Sequence, residues 1–285
     1  PIGPLLARHG VAVYAYDQRG FGAAPERGLW PGHEIMVTDL ATAVAWCQRR
    51  HQAVPLYLMG ESMGAAVAMI ALSQHRQTLG PAVAGVVLLS SAVWGGKTFN
   101  PVARAVFMGL SALWPSLRLT KPHNPRLLPS DNQEAVDALW RDPLAITSTR
   151  ISAIAGLVRL IDAALALAPD FRTPGLVLFG RQDHVIPAHA IAAFLQQLPP
   201  GHQRVVLYPD GWHMLLRDRQ APVVIADTQD NPGAGGNSDT TGMLRALVGA
   251  RVDVVHRDFQ AGGEEQRHPT LADETSAQRG NASDR

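Results

Sequence analysis

A single cysteine, Cys47, in 285 residues excludes an internal disulfide and any zinc site built on paired thiolates. A chain that makes no oxidised crosslink fits a reducing compartment, and a cytoplasmic location is the expectation. Charge is also scarce. Only 17% of residues are charged and the formal net charge is +1, which argues against a basic face for nucleic acid and against an acidic run for cations. No charged n-region, apolar h-region and cleavage site opens the chain. The longest apolar stretches, 102–119 and 151–168, are interrupted by Arg104 and by Arg159 and Asp162, which is wrong for a membrane span. There are no internal repeats. A hydrophobic content of 46% is enough for the core of one large α/β domain or two small ones. The first residue is Pro1 rather than Met, so a fragment or processed start is expected.

Residues 4–10 look like the tail of a helix closed by Gly10, and Val11–Tyr16 then reads as a strand. It runs into a glycine-punctuated loop, Asp17-Gln-Arg-Gly-Phe-Gly22. Met36, Val37, Leu40, Val44 and Cys47 recur at the spacing of a half-buried helix over 34–50. Strands follow at 55–60 and 83–89, the second a continuous apolar run that suits burial on both faces. The alternation of strand and helix predicts a mostly parallel sheet. From 94 to about 170 no strand is evident, only helical stretches separated by Pro-rich turns, and an inserted helical lid is expected. Strands resume at 175–179 and 204–208, each followed by a polar turn that open α/β sheets place on one common edge. After about 226 the composition turns to loop chemistry, and 262–285 reads as disordered.

The stretch with the most chemistry is Gly60-Glu-Ser-Met-Gly64, between an apolar strand and a helix of small residues. This is the G-x-S-x-G elbow, in which glycines two positions either side of a serine leave room for a sharp strand-to-helix turn. Such a turn aims the Ser62 hydroxyl out of the sheet and leaves the Met63 N–H facing the place where an oxyanion would form. A serine hydroxyl needs a base in hydrogen-bond reach, itself oriented by an acid. His213 and Asp183 each lie in a loop just past a late strand and in the required order, serine, acid, histidine. Asp210 is the competing acid, though it lies close in sequence for reaching the far side of the His213 ring. His184 and His189 are five apart without a H-E-x-x-H pattern or a carboxylate partner, so no metal and no cofactor are expected. Phe107, Met108, Leu110, Leu113 and Trp114 read as lid packing, some of them facing a site suited to an apolar acyl chain.

Residues 4–219 resemble the α/β-hydrolase fold, and within it the monoacylglycerol lipase and lysophospholipase group, sometimes placed with the serine aminopeptidases. The matching residues are Tyr16-Asp-Gln-Arg-Gly-Phe-Gly22, Gly60-Glu-Ser-Met-Gly64, Arg141-Asp-Pro-Leu144, Gly180-Arg-Gln-Asp-His-Val-Ile-Pro187 and Gly211-Trp-His-Met-Leu215. The resemblance implies Ser62 as nucleophile, Asp183 as acid, His213 as base and the Met63 N–H as an oxyanion donor. It also implies that the family's first strands and its His-Gly oxyanion loop would precede this sequence, which would leave an open sheet edge and a slow enzyme. Residues 222–247 resemble a segment of the microcystinase C metallopeptidases, which suggests a fusion.

The expected organisation is therefore a hydrolase core over 1–90 and 171–219, a lid over 91–170, and a tail over 220–285. The expected activity is a serine hydrolase cleaving small or lipid-like carboxylic esters, with peripheral membrane contact through the lid and no nucleic-acid partner. The rivals are amide or peptide cleavage on the same fold, a non-catalytic remnant, and a role for the metallopeptidase-like tail. The oligomeric state is not legible in the sequence.

Overall fold

The computed structural model describes residues 2–8, 10–94, 100–120 and 128–221. A short helix, α1 (Ile2–Arg8), is followed by a loop to α2 (His33–Arg50). The core then alternates β1 (Leu56–Glu61), α3 (Met63–Gln74), the single turn α4 (Arg76–Leu79) and β2 (Val83–Leu89). Next come α5 (Pro101–Leu113), β3 (Arg118–Thr120), α6 (Gln133–Arg141), β4 (Ser148–Arg150) and α7 (Ile151–Leu167). The chain returns to the sheet as β5 (Gly175–Gly180), α8 (Ala188–Gln197) and β6 (Gln203–Tyr208).

The four long strands lie in the order β1-β2-β5-β6, all parallel, with Gly60 opposite Leu88 and Leu178 opposite Val206. Side chains alternate across this sheet as the pleat requires. Val86, Leu88, Val177 and Phe179 point into one core shared with α2, α3, α7 and α8. Val87, Leu89, Leu176 and Leu178 point the other way and pack with Tyr208 and Leu215. Every residue of β5 is buried, which explains its uninterrupted apolar sequence. Within α3, Ala65 to Leu72 are all buried, because this helix is enclosed by the sheet, α2 and α7 and presents no wet face. Full burial of a side chain such as Ile70 stabilises by about 1.5–3 kcal/mol, whereas the alanines serve to bring the backbones close.

Two expectations are corrected. Val11–Tyr16 has strand composition but forms no strand. A strand exists only as one side of a ladder, and this segment lies beside β1 across a cavity of about 120 Å³ lined by Val11, Tyr14, Cys47, His51 and Leu56. Its side chains are largely exposed, with Tyr14 held against Trp46 and hydrogen-bonded to His51. The stretch 94–170 does contain strands, since β3 and β4 pair antiparallel as a short ribbon, Leu119 opposite Thr149. The last helix of that stretch, α7, packs on α3, and its buried Leu160 and Ala164 belong to the main core. This helix with the turn after it, Ile151–Asp170, is long and apolar enough to cross a membrane. Its burial against α3 accounts for that composition.

Candidate active site

The elbow begins where β1 ends. Ser62 has φ 52° and ψ −115°, a left-handed backbone costing about 1–3 kcal/mol for a residue with a Cβ. The neighbouring strand holds it there, because the Ser62 N–H donates to the Leu89 carbonyl at 2.8 Å and its carbonyl accepts from the Ala92 N–H at 3.1 Å. Met63 is the first residue of α3, so its N–H has no carbonyl partner inside the helix and stands at the positive end of the helix dipole. The steric argument holds for one of the two glycines. A Cβ on Gly60 would lie 2.6 Å from the Gly64 carbonyl oxygen and 2.7 Å from the Ala65 Cα, all backbone, whereas one on Gly64 would meet only Gln18 Nε2 at 3.9 Å. That contact also places the Asp17–Gly22 loop beside the elbow, as expected of a loop at the sheet's C-terminal edge, and Arg19 fastens the loop to α2 through two 3.0 Å hydrogen bonds to Asp39.

His213 comes from the loop after β6 and Asp183 from the loop after β5, and both are 8% exposed. The ring joins the two: Nε2 is 3.0 Å from Ser62 Oγ and Nδ1 is 2.8 Å from Asp183 Oδ2. The other carboxylate oxygen of Asp183 accepts the N–H groups of Val185 at 2.8 Å and Ile186 at 3.0 Å. These bonds fix the carboxylate plane and let a charged group remain in a dry place. Asp210 is exposed on the turn after β6 and does not face the His213 ring. His184 lies against the Trp212 ring, with centroids 5.0 Å apart. Among the described residues no group of three or more His, Cys, Asp or Glu is placed to hold a metal ion.

A serine, a histidine and a carboxylate in a hydrogen-bonded line at the C-terminal edge of a parallel sheet can activate a hydroxyl for attack on an acyl carbon. Residues 2–220 match the family described as serine aminopeptidase, S33. The chain belongs to that family. The Rattus norvegicus monoglyceride lipase is 24% identical to it over 225 residues, 76% of this chain and 71% of that protein. The Homo sapiens monoglyceride lipase is 25% identical over 216 residues, 73% of this chain and 68% of that one. A crystal structure of the Paleococcus ferrophilus monoacylglycerol lipase aligns with a TM-score of 0.66 at 19% identity, over 86% of each chain. The α/β-hydrolase fold is thus shared. The resemblance of the tail also has a counterpart, since residues 225–261 match the family described as MlrC C-terminus. Those residues, and with them the tail's expected disorder, lie outside the described residues.

Sequence reasoning missed the polar groups behind the S33 site. Glu61, inside the elbow motif, has a mostly buried carboxyl that burial pushes above its ordinary 4.5, while Arg217 and His213 pull it back. Asp218, only 3% exposed, is likewise raised by burial, opposed by hydrogen bonds from the Ser130 hydroxyl and the Trp212 N–H. Nothing in the local sequence marks Ser130, and the sole hint for Asp218 is a carboxylate five positions past the histidine.

Two predictions follow from these environments. Gly60→Ala forces backbone apart at the elbow and destabilises by about 1–3 kcal/mol, whereas Gly64→Ala is near neutral; urea unfolding at constant m-value separates them. For Glu61 the raised folded-state value means that the protonated form favours the fold. Its contribution is full below about pH 4.5 and is lost as pH rises through the folded value. Glu61→Gln should therefore gain melting temperature relative to wild type as pH rises above about 5. A difference that is flat with pH contradicts this.

Proposed function

We propose that this chain hydrolyses carboxylic esters of lipid-like or small apolar type, monoacylglycerols and lysophospholipids among them, through an acyl-enzyme on Ser62. The observation that carries the reading is the line from Ser62 Oγ through the His213 ring to Asp183, with contacts of 3.0 and 2.8 Å. Ser62 Oγ attacks the ester carbonyl as His213 Nε2 takes its proton, and Asp183 stabilises the resulting imidazolium and holds its tautomer. The Met63 N–H meets the negative oxygen of the tetrahedral intermediate. Collapse expels the alcohol, which receives its proton from His213. Water then repeats the sequence and releases the acid. The preference for esters over amides draws on the relatives named as monoglyceride lipases. It also suits a site whose Asp183 and Asp218 carboxylates are buried and engaged, so that neither is open to pair with a substrate ammonium group.

The inserted region supports a lipid-facing role. On α5, Val102, Val106 and Leu113 fall on one face and are 70%, 58% and 71% exposed, with Trp114 at 60% just beyond. Of the five lid residues singled out for packing, Leu110, Leu113 and Trp114 are exposed, and Phe107 and Met108 are half-buried. A helix with this apolar face and an inner face tied to α7 through Arg104 and Asp162 suits peripheral contact with a lipid surface.

Wild-type protein should be labelled by a fluorophosphonate probe and hydrolyse nitrophenyl esters and a monoacylglycerol without inhibition by a chelator, while Ser62→Ala does neither. Asp183→Asn and His213→Ala should each lower kcat/KM by about 10⁴, and Asp210→Asn should leave most of it. Turnover of aminoacyl anilides in preference to esters would favour the amide reading instead. Replacing Leu113 and Trp114 by Asp and Ser should weaken vesicle binding and hydrolysis of vesicle-borne monoacylglycerol, with a soluble short-chain ester cleaved as before. Equal loss on both substrates would place these residues in folding rather than in lipid contact.

A further inference from the structure

The peptide on either side of His213 is anchored to a segment more than eighty residues earlier in the chain. On one side, the Met214 N–H donates to the Pro129 carbonyl at 2.8 Å. On the other, the Trp212 N–H donates to Asp218 Oδ2 at 2.7 Å, and Asp218 Oδ1 accepts the Ser130 hydroxyl at 2.6 Å. Both members of that last pair are buried, Asp218 at 3% exposure and Ser130 at 2%. Two further bonds continue the seam, Asn132 Nδ2 to the Arg217 carbonyl and the Arg219 N–H to Asp131 Oδ1, each 2.9 Å. The same Asn132 caps α6 by accepting the Ala135 N–H. Residues 129–132 thus connect a helix of the inserted region to the loop that carries the histidine.

Resting on the reading of Ser62, His213 and Asp183 as the reacting groups, we propose that Asp218 is a positioning residue. Together with Ser130 it holds the His213 loop in register with Ser62, so that the inserted region and the base move as one unit. A turn-capping role would need only a neighbour in sequence. Here a carboxylate spends one oxygen on the amide adjoining the histidine and the other on a hydroxyl 88 positions away. A shift of the loop by about 1 Å lengthens the bond from Nε2 to Oγ, and misplacement of that size can cost about 10²-fold in rate. The chemistry also predicts which substitution is tolerated. An asparagine can turn its carbonyl oxygen to the Trp212 N–H and its NH₂ to Ser130, whose hydroxyl accepts as well as it donates.

The test compares Asp218→Ala, Ser130→Ala and Asp218→Asn. Each kcat is expressed per Ser62 site titrated to completion with the fluorophosphonate, so that unfolded molecules do not count. Asp218→Ala should lower kcat on a soluble nitrophenyl ester by about 10- to 10²-fold with KM within about twofold. Ser130→Ala should lower it several-fold, and Asp218→Asn should stay within about threefold of wild type. Wild-type kcat per titrated site in Asp218→Ala, or in Ser130→Ala should the first variant not fold, overturns the proposal. So does a change confined to KM, or a loss in Asp218→Asn as deep as in Asp218→Ala. Failure of wild-type protein to label at Ser62 is a different result and overturns the serine hydrolase reading itself.

Discussion

Ser62 stands in a backbone conformation that residues with a Cβ avoid, and no side-chain hydrogen bond caps the helix it begins. What keeps it there is the parallel pairing of β1 with β2, because the last rungs of that ladder continue into the Ser62 N–H and carbonyl. The end of β2 is held in a left-handed conformation too, at Ser90 with φ 42°, whose N–H is tied to Leu178 in β5. Two neighbouring strands therefore end in strained residues, each clamped by the next strand across. Strain of this kind persists only where the surroundings over-determine it. The fully buried α3 and the two-sided burial of β2 and β5 supply that surplus.

The site follows from the same sheet. Ser62, Asp183 and His213 leave the C-terminal ends of three parallel strands, so one rigid layer sets their spacing while three loops choose their chemistry. Within those loops the two buried carboxylates have assigned partners. Asp183 divides its oxygens between two backbone amides and the histidine, and Asp218 divides its own between Ser130 and Trp212. In surroundings this poor in water, a carboxylate lacking such partners would take up a proton. Glu61 has the weakest support of the three, since burial raises its pKa as it does that of Asp218 but no hydrogen bond opposes the rise.

The elbow was readable because its requirement is local. Gly60 is needed where a Cβ would strike backbone four and five residues on, and such contacts leave a mark in a five-residue pattern. Gly64 matched the same pattern although the structure leaves open space at its Cβ position, so a motif can outlast the particular clash that explains it. Val11–Tyr16 failed for the opposite reason. Its β-branched and aromatic content is a preference, and the strand itself requires a neighbour that no window of sequence contains. The small ribbon of β3 and β4 was equally invisible, since three-residue strands carry no periodicity.

The sequence by itself determined the candidate nucleophile, the parallel α/β class, the order of the strands along the chain and the short choice of partners for Ser62, because turns, helix faces and apolar runs are governed by residues a few positions apart. The sequence favoured Asp183 over Asp210 by position alone, and only the tertiary structure shows the contact itself, with the β5 loop placed against the far nitrogen of a ring carried on the β6 loop. Only the tertiary structure joined Ser130 to Asp218 and drew α7 into the core. Those outcomes depend on hydrogen bonds and packing between segments tens of residues apart, whose strength comes from burial, and burial is a property of the folded whole.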